Sequence, residues 1–470
     1  MTLYSREYDF IYFYITLFKA LDPRVVFLLE HAETLVDAGL LSIDDVAKYS
    51  NTVSADVVAH CCSEIYSASF AASLLTNTNV TTSRAAAILN SARFDVDKAA
   101  MVIDLMSLTS AATILNDSNL SVSKAVSILS SSYISVSKVY NILSNAGLSA
   151  DRTQSIMFNI PIGSRFIDIV TNGAPSVIIT SNTSISGTNR YYVLSVASGV
   201  TLSLGGQPSV IIAKTVTNSG TMDKTVTGAS GGASVCGSGA GGQGGGGVII
   251  FCDTFNNAGT VRANGGNGGN ATLPSCSSSG NSGGAGAFYR VGSDSAGMGG
   301  AGGDISNGGV NGGGGGKAAT DYLGGSGDGS SITTFSTYSD LADDIKKAVA
   351  DWFIRNVLGK SPSTSKPFPD IKGSGGGSGG AQGNPAYAGG GGGGGGGHIY
   401  VICITANNTG SITSTGGNGG SGYNAYAGGG GGGGLIYLLF KTAMNIGSLS
   451  SSGGTGYASG SGGAVRASAI

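Results

Sequence analysis

The chain has 470 residues, enough for two or more domains, and 83 of them are glycine. Only 11% are Asp, Glu, Lys or Arg and the formal net charge is −2, so the chain lacks the basic surplus typical of proteins that bind nucleic acid or anionic lipid. Because titratable groups are few, we expect stability to depend weakly on pH. The first apolar run, residues 10–18, is too short to span a membrane and lacks the pattern of a signal peptide.

A short motif recurs over residues 41–157: an apolar residue, then Ser, Thr or Asp, then a polar stretch that ends in an apolar pair. Clear copies are LSVSKAVSIL from Leu120 and ISVSKVYNIL from Ile134. The polar residue stands where an N-cap accepts a backbone N–H, so each copy predicts a helix of about two to three turns. The predicted caps are Ser42, Ser54, Ser67, Thr81, Asp95, Ser107, Ser121, Ser135 and Ser149. Helices this short are marginal alone, so we expect a stacked helical array in a domain spanning residues 1–160.

Several copies carry a cation three residues after the cap, namely Lys98, Lys124, Lys138 and Arg152. A helical array that binds nucleic acid is one interpretation of this pattern. A row of solvated cations on the helix surface is the other, and the slightly acidic overall charge favours it. We therefore expect no nucleic-acid partner.

The apolar pattern changes from helical to alternating after Pro161. The segments FIDIVTNG, PSVIITSN and YYVLSVASGVTLSLGG predict β-strands. We expect these strands to form a neck over residues 161–223.

Four segments share one plan, an apolar strand followed by Asn-x-Gly-x-apolar. They are residues 209–222, 248–261, 399–412 and 436–449. When the segments are aligned on the glycine, one column holds Asn218, Asn257, Asn408 and Asn445, and another holds Gly220, Gly259, Gly410 and Gly447. Such recurrence is typical of stacked β-rungs, in which each copy completes the core of its neighbour.

Glycine-rich tracts separate these strands and include nine unbroken glycines at residues 389–397. A flexible linker is one interpretation, since ordering glycine costs backbone entropy. The other is ordered packing of extended glycine helices, whose backbones bond to neighbours at a distance that any side chain would prevent. The fixed register of the intervening strands favours ordered packing, so we expect a glycine-rich β domain over residues 224–470.

An insertion at residues 317–372 interrupts the glycine-rich region. Its segment SDLADDIKKAVADWFIRNVLG begins with a serine cap and an acidic first turn. Leu341, Ile345 and Trp352 lie at helical spacing, so the segment predicts an amphipathic docking helix whose apolar face requires a partner.

Six cysteines form neither a disulfide framework nor a metal-binding motif. Cys252 and Cys403 occupy equivalent places in two rungs, so stacking would bring them together. Either they form a disulfide or they remain two small apolar residues of one core column. The second interpretation is favoured, because buried free cysteine is common.

Apparent catalytic motifs arise by chance in a chain this rich in glycine and serine. Residues 376–380, GGSGG, match a nucleophile motif, but the three histidines, His31, His60 and His398, stand far apart in the sequence and supply no base. The GxGxxG matches lack a strand–turn–helix context, and the run ending at Lys317 lacks the first P-loop glycine. We expect no enzymatic activity, no metal and no cofactor.

Side chains that interrupt the glycine tracts are candidates for recognition. Phe288, Tyr289 and Arg290 in one loop and Tyr423 in another are predicted to contact a receptor. Exposed aromatic residues suit this role because they bring rigid contact area at a low entropic cost. Packing within the glycine region is the alternative role.

The alternation of IYVICITANNTGSITSTGGNGGSG with runs such as GYNAYAGGGGGGGLIY resembles the glycine-rich tail-fibre adhesins and spike proteins of viruses. With its helical front and the insertion DWFIRNVLGK, the chain looks most like the host-attachment tail or spike proteins of archaeal spindle-shaped viruses. The resemblance covers residues 200–470 by motif and implies packed polyglycine helices that present variable loops to a host surface. The helical domain departs from the pattern of the phage adhesins.

The sequence therefore predicts a multidomain α and β protein: an N-terminal short-helix repeat array, then a domain of β-rungs and polyglycine helices with one inserted helix. The expected function is host attachment by a structural protein at the virion surface. The expected partners are other virion proteins through the helical domain, a host glycan or protein through the glycine-domain loops, and further copies in a homo-oligomer. A non-viral extracellular filament or surface-layer component is the alternative.

Overall fold

The computed structural model describes residues 23–145, 148–161, 164–225, 241–271, 390–422 and 427–469. Among these residues one compact unit ends at Asn172 and a second begins at Gly173. The first unit is helical and the second contains a large parallel β-sheet. The predicted combination of helices and strands is therefore confirmed.

Short helices make up the first unit. They are α1 (Pro23–Glu30), α2 (Ala32–Asp37), α3 (Ile43–Ser50), α4 (Ala55–His60), α5 (Ala68–Leu75), α6 (Thr82–Asn90), α7 (Val96–Leu105), α8 (Leu108–Asn116), α9 (Val122–Ser130), α10 (Val136–Asn145), α11 (Ala150–Asn159) and α12 (Ser164–Thr171). A π-helical turn, Cys61–Ile65, extends α4. In the described part of the chain, no helix has the length and apolar character needed to cross a membrane.

The helices begin where the capping residues predict. Each of the predicted caps accepts a hydrogen bond from the backbone N–H three residues later. At Ser42 the bond is reciprocal, because the carboxylate of Asp45 accepts from the backbone N–H of the cap. These bonds satisfy N–H groups that would otherwise lack an intrahelical acceptor, which is why such short helices start at fixed positions.

Most of the helices pack against the helix two further along the chain. Thus α5 contacts α7, α7 contacts α9 and α9 contacts α11, whereas α4, α6, α8, α10 and α12 form a second row. In α6 the side chains of Ala85, Ala86, Ile88 and Leu89 are all fully buried. This i, i+1, i+3, i+4 pattern places one apolar stripe against the neighbours, and the alanines let the helices approach closely.

The prediction of a strand in FIDIVTNG is wrong, because these residues belong to α12. Phe166, Ile167, Ile169 and Val170 are buried at helical spacing. A five-residue segment with four apolar residues fits either period, so packing against α10 decides the outcome. The helical unit consequently extends to Asn172 rather than to residue 160.

The second unit contains an 11-stranded sheet in which every pair of neighbouring strands is parallel. Its strands are β1 (Ser176–Ile179), β2 (Thr183–Val196), β3 (Thr201–Asn218), β4 (Thr221–Asp223), β5 (Gly247–Asn257), β6 (Thr260–Arg262), β7 (His398–Asn408), β8 (Ser411–Thr413), β9 (Leu435–Asn445), β10 (Ser448–Ser450) and β11 (Val465–Ala469). The main order is β10-β8-β6-β4-β3-β5-β7-β9-β11, and β2 joins β1 to β3.

From β3 to β10 long and short strands alternate along the chain, and each Asn-x-Gly turn ends a long strand and starts a short one. The apolar residue after the turn forms a buried column through Met222, Val261 and Ile412. The core lies between the long and short strands and includes Val248, Ile250 and Phe255 of β5. Residues of neighbouring rungs therefore share one core.

The predicted asparagine column is broken at the last rung, although Leu449 pairs with Ile412 as the alignment predicts. The register between β7 and β9 shifts after Ala406↔Ala443, so that Asn445 pairs with Asn407 and not with Asn408. The next strand, β11, pairs with β9 only up to Phe440. Beyond that point β9 pairs only with β7 among the described strands, and the turn glycine, Gly447, adopts a φ of 65°.

Backbone hydrogen bonds join the glycine tracts laterally at every third residue. Gly391, Gly394 and Gly397 donate to the carbonyls of Gly269, Gly266 and Ala263 at 3.0, 2.8 and 2.6 Å. Gly393 and Gly396 donate in another direction, to Gly429 and Gly432 at 2.9 and 2.8 Å. Residues 390–397 are all buried, and a Cβ added to Gly390, Gly393, Gly394, Gly396 or Gly397 would lie 2.4 Å or less from a carbonyl oxygen.

Candidate functional site

A ladder of buried asparagines runs through the rungs of the sheet. Asn218 Nδ2 donates to Asn257 Oδ1 at 2.7 Å, and Asn257 Nδ2 donates to Asn408 Oδ1 at 2.7 Å. At the far end Asn408 Nδ2 donates to the carbonyl of Ile446, because Asn445 is out of register. Asn257 is thus paired on both sides, whereas Asn218 Oδ1 at the first rung has no hydrogen-bond partner within the described part of the chain.

The turn glycines stack on one another beside this ladder. A Cβ on Gly259 would lie 2.0 Å from the carbonyl oxygen of Gly220, and a Cβ on Gly410 would lie 2.0 Å from that of Gly259. Any side chain would therefore collide with the backbone of the preceding rung. This close approach explains why the turn requires glycine in successive repeats.

Replacing Asn257 with alanine is expected to destabilise the β unit by about 3 kcal/mol, since it breaks two ladder bonds and leaves buried amide groups unpaired. The matched control is Asn256→Ala, because Asn256 is only half-buried and accepts one long contact of 3.5 Å from Asn407. The midpoint of unfolding in urea and the hydrogen-exchange rates of the amides of β5 are measured for both variants. Equal midpoints for the two variants would contradict a structural role for the ladder.

A second, largely exposed set of polar residues follows the short strands at every third position. We name it the triplet face, and it comprises Asn264, Asn267, Asn270, Thr415, Asn418, Ser421, Ser452 and Thr455. Asn264, Asn267 and Asn270 each accept a hydrogen bond through Oδ1 from a backbone N–H of the next rung, at 2.9, 2.9 and 2.8 Å. Asn418 repeats this contact with Thr455 at 2.9 Å. The sequence signal was present as the x-Gly-Gly triplets NGGNGGN and TGGNGGS, which the sequence analysis did not single out.

His398 is a fully buried titratable group at the start of β7. Within the described residues neither of its ring nitrogens has a hydrogen-bond partner. Burial lowers the pKa of His398 to about 3, so the ring is neutral at physiological pH. Its ring centroid lies 6.3 Å from that of Tyr400, which stacks on Tyr437 at 5.2 Å. This residue is an exception to the expected weak dependence of stability on pH.

The cysteines of the described residues are buried free thiols. Cys252 and Cys403 are directly paired in register on β5 and β7, as the repeats predict. Burial and the adjacent Cys403 raise the pKa of Cys252 well above its usual value, and burial raises the pKa of Cys61 to about 12. Both thiols are therefore protonated and weakly nucleophilic.

The predicted receptor-contact residues Phe288, Tyr289, Arg290 and Tyr423 lie outside the described residues, as do Leu341, Ile345 and Trp352 of the predicted docking helix. Those assignments stay predictions. In the described ranges no group of three or more His, Cys, Asp or Glu residues is placed to hold a metal ion.

Five cations of the helical repeats bond to backbone carbonyls that lie 30 to 37 residues earlier in the chain, and Lys98 is not among them. Lys124 Nζ donates to Ser91 at 3.2 Å and also to Phe94, and Arg152 Nε donates to Leu115 at 2.8 Å. Arg84, Lys138 and Arg165 make equivalent contacts. Partial burial lowers the pKa of Arg84, Lys124 and Arg152. These contacts differ from the solvated helix surface expected and favour a structural role over contact with phosphates.

Replacing Arg152 with methionine is expected to lower the free energy of unfolding of the helical unit by about 1 to 3 kcal/mol, because the part-buried carbonyls of Leu115 and Leu120 lose their donor. Lys48→Met is the control: its side chain is 64% exposed and contacts only Asp45 of the same helix, at 3.6 Å. Thermal unfolding followed by circular dichroism at helical wavelengths tests the pair. If Lys48→Met lowered the free energy of unfolding as much as Arg152→Met, a structural role for the hydrogen bonds of Arg152 would be ruled out.

No protein-family model, no curated protein and no solved structure matches the chain.

Proposed function

We propose that this protein is a virion spike or tail protein that attaches the particle to the surface of its host and performs no chemistry of its own. The observation that supports this most is the lateral bonding of the glycine tracts, which makes low-complexity sequence into a rigid body. Gly394 illustrates it: its N–H donates to Gly266 at 2.8 Å, and its carbonyl accepts from Gly417 at 2.7 Å. Glycine tracts that are joined to their neighbours by backbone hydrogen bonds suit a protein exposed outside the cell.

In this proposal the glycine tracts are polyglycine helices. Donors that point in the same direction recur at every third residue, as in a left-handed helix with about three residues per turn. Such a helix has no internal hydrogen bonds, so its stability depends on its neighbours. The short strands lead directly into these tracts, and the rungs set the spacing of the helices.

The helical unit is the proposed docking module for other virion proteins or for sister copies. Its helices form two rows with a repeating set of contacts at sequence separations of 31 to 35 residues, such as Ser121 N to Asn90 Oδ1 at 2.9 Å and Ser135 N to Asp104 Oδ1 at 3.0 Å. Repeat arrays of this kind offer extended surfaces for binding. Homo-oligomeric assembly, recognition through the loops of the glycine domain and a location on the virion surface belong to the same proposal.

Two experiments test the function and its structural basis separately. Immunogold labelling of intact particles with an antibody against the β unit is expected to decorate their surface, and particles without this protein are expected to lose host adsorption. Hydrogen exchange of the assembled protein is expected to show slow exchange of the amides of residues 390–397. Particles that adsorb normally without the protein would refute the function, and rapid exchange would refute the rigid lattice.

A filament or surface-layer component is the second candidate, favoured by the edge of the sheet. Strand β11 is the last strand on its side among the described residues, and its residues are largely exposed, including Val465 at 42%. An exposed parallel edge is a template for pairing with another chain. This candidate predicts that the purified protein forms fibres without a particle, which electron microscopy of the isolated chain detects.

A further inference from the structure

The asparagines of the triplet face have a fixed orientation. Their Oδ1 atoms accept backbone N–H groups of the next rung, and a donor of that kind requires the amide oxygen rather than the amide nitrogen. The Nδ2 groups are therefore directed away from the backbone. Within the described ranges, none of the Nδ2 atoms of Asn264, Asn267, Asn270 and Asn418 makes a hydrogen bond.

These unused donors are exposed and regularly spaced. Asn267, Asn270 and Asn418 are exposed, and Asn264 is half-buried. Consecutive triplets lie about 9 Å apart along a tract if each residue rises about 3.1 Å. Neighbouring rungs lie about 5 Å apart. Hydroxyl groups of Thr415, Ser421 and Thr455 occupy equivalent places in this grid.

We infer that the triplet face binds a neutral polysaccharide through its outward carboxamide N–H groups. Sugar hydroxyls accept hydrogen bonds from amide donors and donate to the hydroxyls of serine and threonine. Both the carboxamides and the hydroxyls of the triplet face can therefore bond to a sugar. None of the residues of the triplet face is ionisable, which favours a neutral ligand over an anionic one. A repeating polymer fits better than a single small molecule because the donors repeat across rungs.

The asparagine side chains of the triplet face are held in place before any ligand arrives. Their contacts with the next rung hold the carboxamides in place, so binding does not have to immobilise them. Tyr457, whose ring is 54% exposed, lies two residues after Thr455 and offers an apolar surface at the same edge. Amide donors beside the exposed ring of Tyr457 suit a sugar, because a sugar ring carries hydroxyl groups and also presents apolar C–H groups.

This inference rests on the proposed function for the source of the ligand, which is the surface of the host, but its test needs no host. The full chain, purified from an expression host without N-glycosylation, is run in native gels that contain dextran, mannan or no polymer. A third gel series contains heparin as an anionic comparator. Wild-type protein is expected to be retarded by at least one neutral polymer and less by heparin.

The double variant Asn267→Asp with Asn418→Asp isolates the donors. Aspartate keeps an oxygen to accept the backbone N–H of the next rung and removes the outward N–H groups. The matched control is Asn182→Asp, since Asn182 is an exposed residue outside the grid whose Oδ1 accepts from Thr201 N at 2.8 Å. Mobility in each polymer is compared with mobility of the same variant without polymer.

The double variant is expected to raise the apparent dissociation constant about tenfold or more, whereas the control stays within about twofold of wild type. Retardation by no neutral polymer, retardation by heparin alone, or equal binding by wild type and the double variant would overturn the inference. If the triplet face instead recognises a protein, no neutral polymer retards the wild type, which is the first of these results. Immunolabelling of particles decides the proposed function independently, so the two failures are distinguishable.

Discussion

Alanine at Gly394 is expected to destabilise the β unit by about 3 kcal/mol or more, and at room temperature the lattice around residue 394 is expected to exchange its amides rapidly. The added Cβ would lie 1.9 Å from the carbonyl oxygen of Gln243 and 2.4 Å from its carbonyl carbon. Gly394 is also bonded to two further tracts through Gly266 and Gly417, so the backbone cannot move aside without breaking those bonds. Guanidinium denaturation and hydrogen exchange of residues 390–397 measure the effect.

Gly462→Ala is the control for the general cost of removing a glycine. Gly462 is exposed in another glycine-rich stretch, and its added Cβ would approach only the carbonyl oxygen of Ser451, at 3.1 Å. We expect its effect on the unfolding midpoint to be within about 1 kcal/mol, because a shift of a few tenths of an ångström relieves the contact. If both variants unfold at the denaturant concentration of the wild type, the glycine tracts are not a packed lattice.

Acid is expected to destabilise the β unit through His398. The folded-state pKa of His398 is about 3 and its ordinary value is 6.5, so between these values the unfolded chain binds a proton that the folded chain refuses. The contribution of the neutral histidine is complete above pH 6.5 and is lost progressively as the pH falls towards 3. The expected loss across this window is up to about 5 kcal/mol.

His398→Leu separates this effect from the titration of carboxylates. Leu435 is the partner of His398 in the next rung, so the column already accepts leucine. The unfolding free energies of wild type and variant are compared from pH 7 to pH 3.5, where shared carboxylate contributions cancel in the difference. The wild type is expected to lose stability relative to the variant as the pH falls, and a difference that stays constant with pH would contradict a buried neutral histidine.

Much of the register of the sheet was predictable because two kinds of residue carry direct constraints. The turn glycines cannot hold a side chain against the preceding rung, and Asn218, Asn257 and Asn408 must pair with one another once they are buried. Aligning the repeats on these residues therefore gives the correct partners for three rungs. The alignment fails at Asn445, which a local register shift pairs with Asn407, and it holds again at Leu449, which pairs with Ile412.

Other features depend on contacts between distant residues and were not predictable from local pattern. The role of Arg152 depends on carbonyls that lie 37 and 32 residues earlier, and no property of its own repeat reveals them. The helix at Ser164–Thr171 similarly depends on packing against α10. The triplet face was accessible in principle, since NGGNGGN has a period of three, but its amide orientation follows only from the hydrogen bonds between rungs.

The pairing of β5 with β7 has a consequence for how this protein can change over evolutionary time. Strand β6 ends at Arg262 and β7 begins at His398, yet Gly247 of β5 pairs directly with His398 in unbroken register. Gly391 N donates to the carbonyl of Gly269 at 3.0 Å, so the lattice holds both ends of residues 272–389, and lengthening a flexible connection costs only about 0.6 kcal/mol for each doubling of its length. Foreign sequence can therefore be exchanged at this position with little penalty, which makes it a natural graft point for acquiring new specificity.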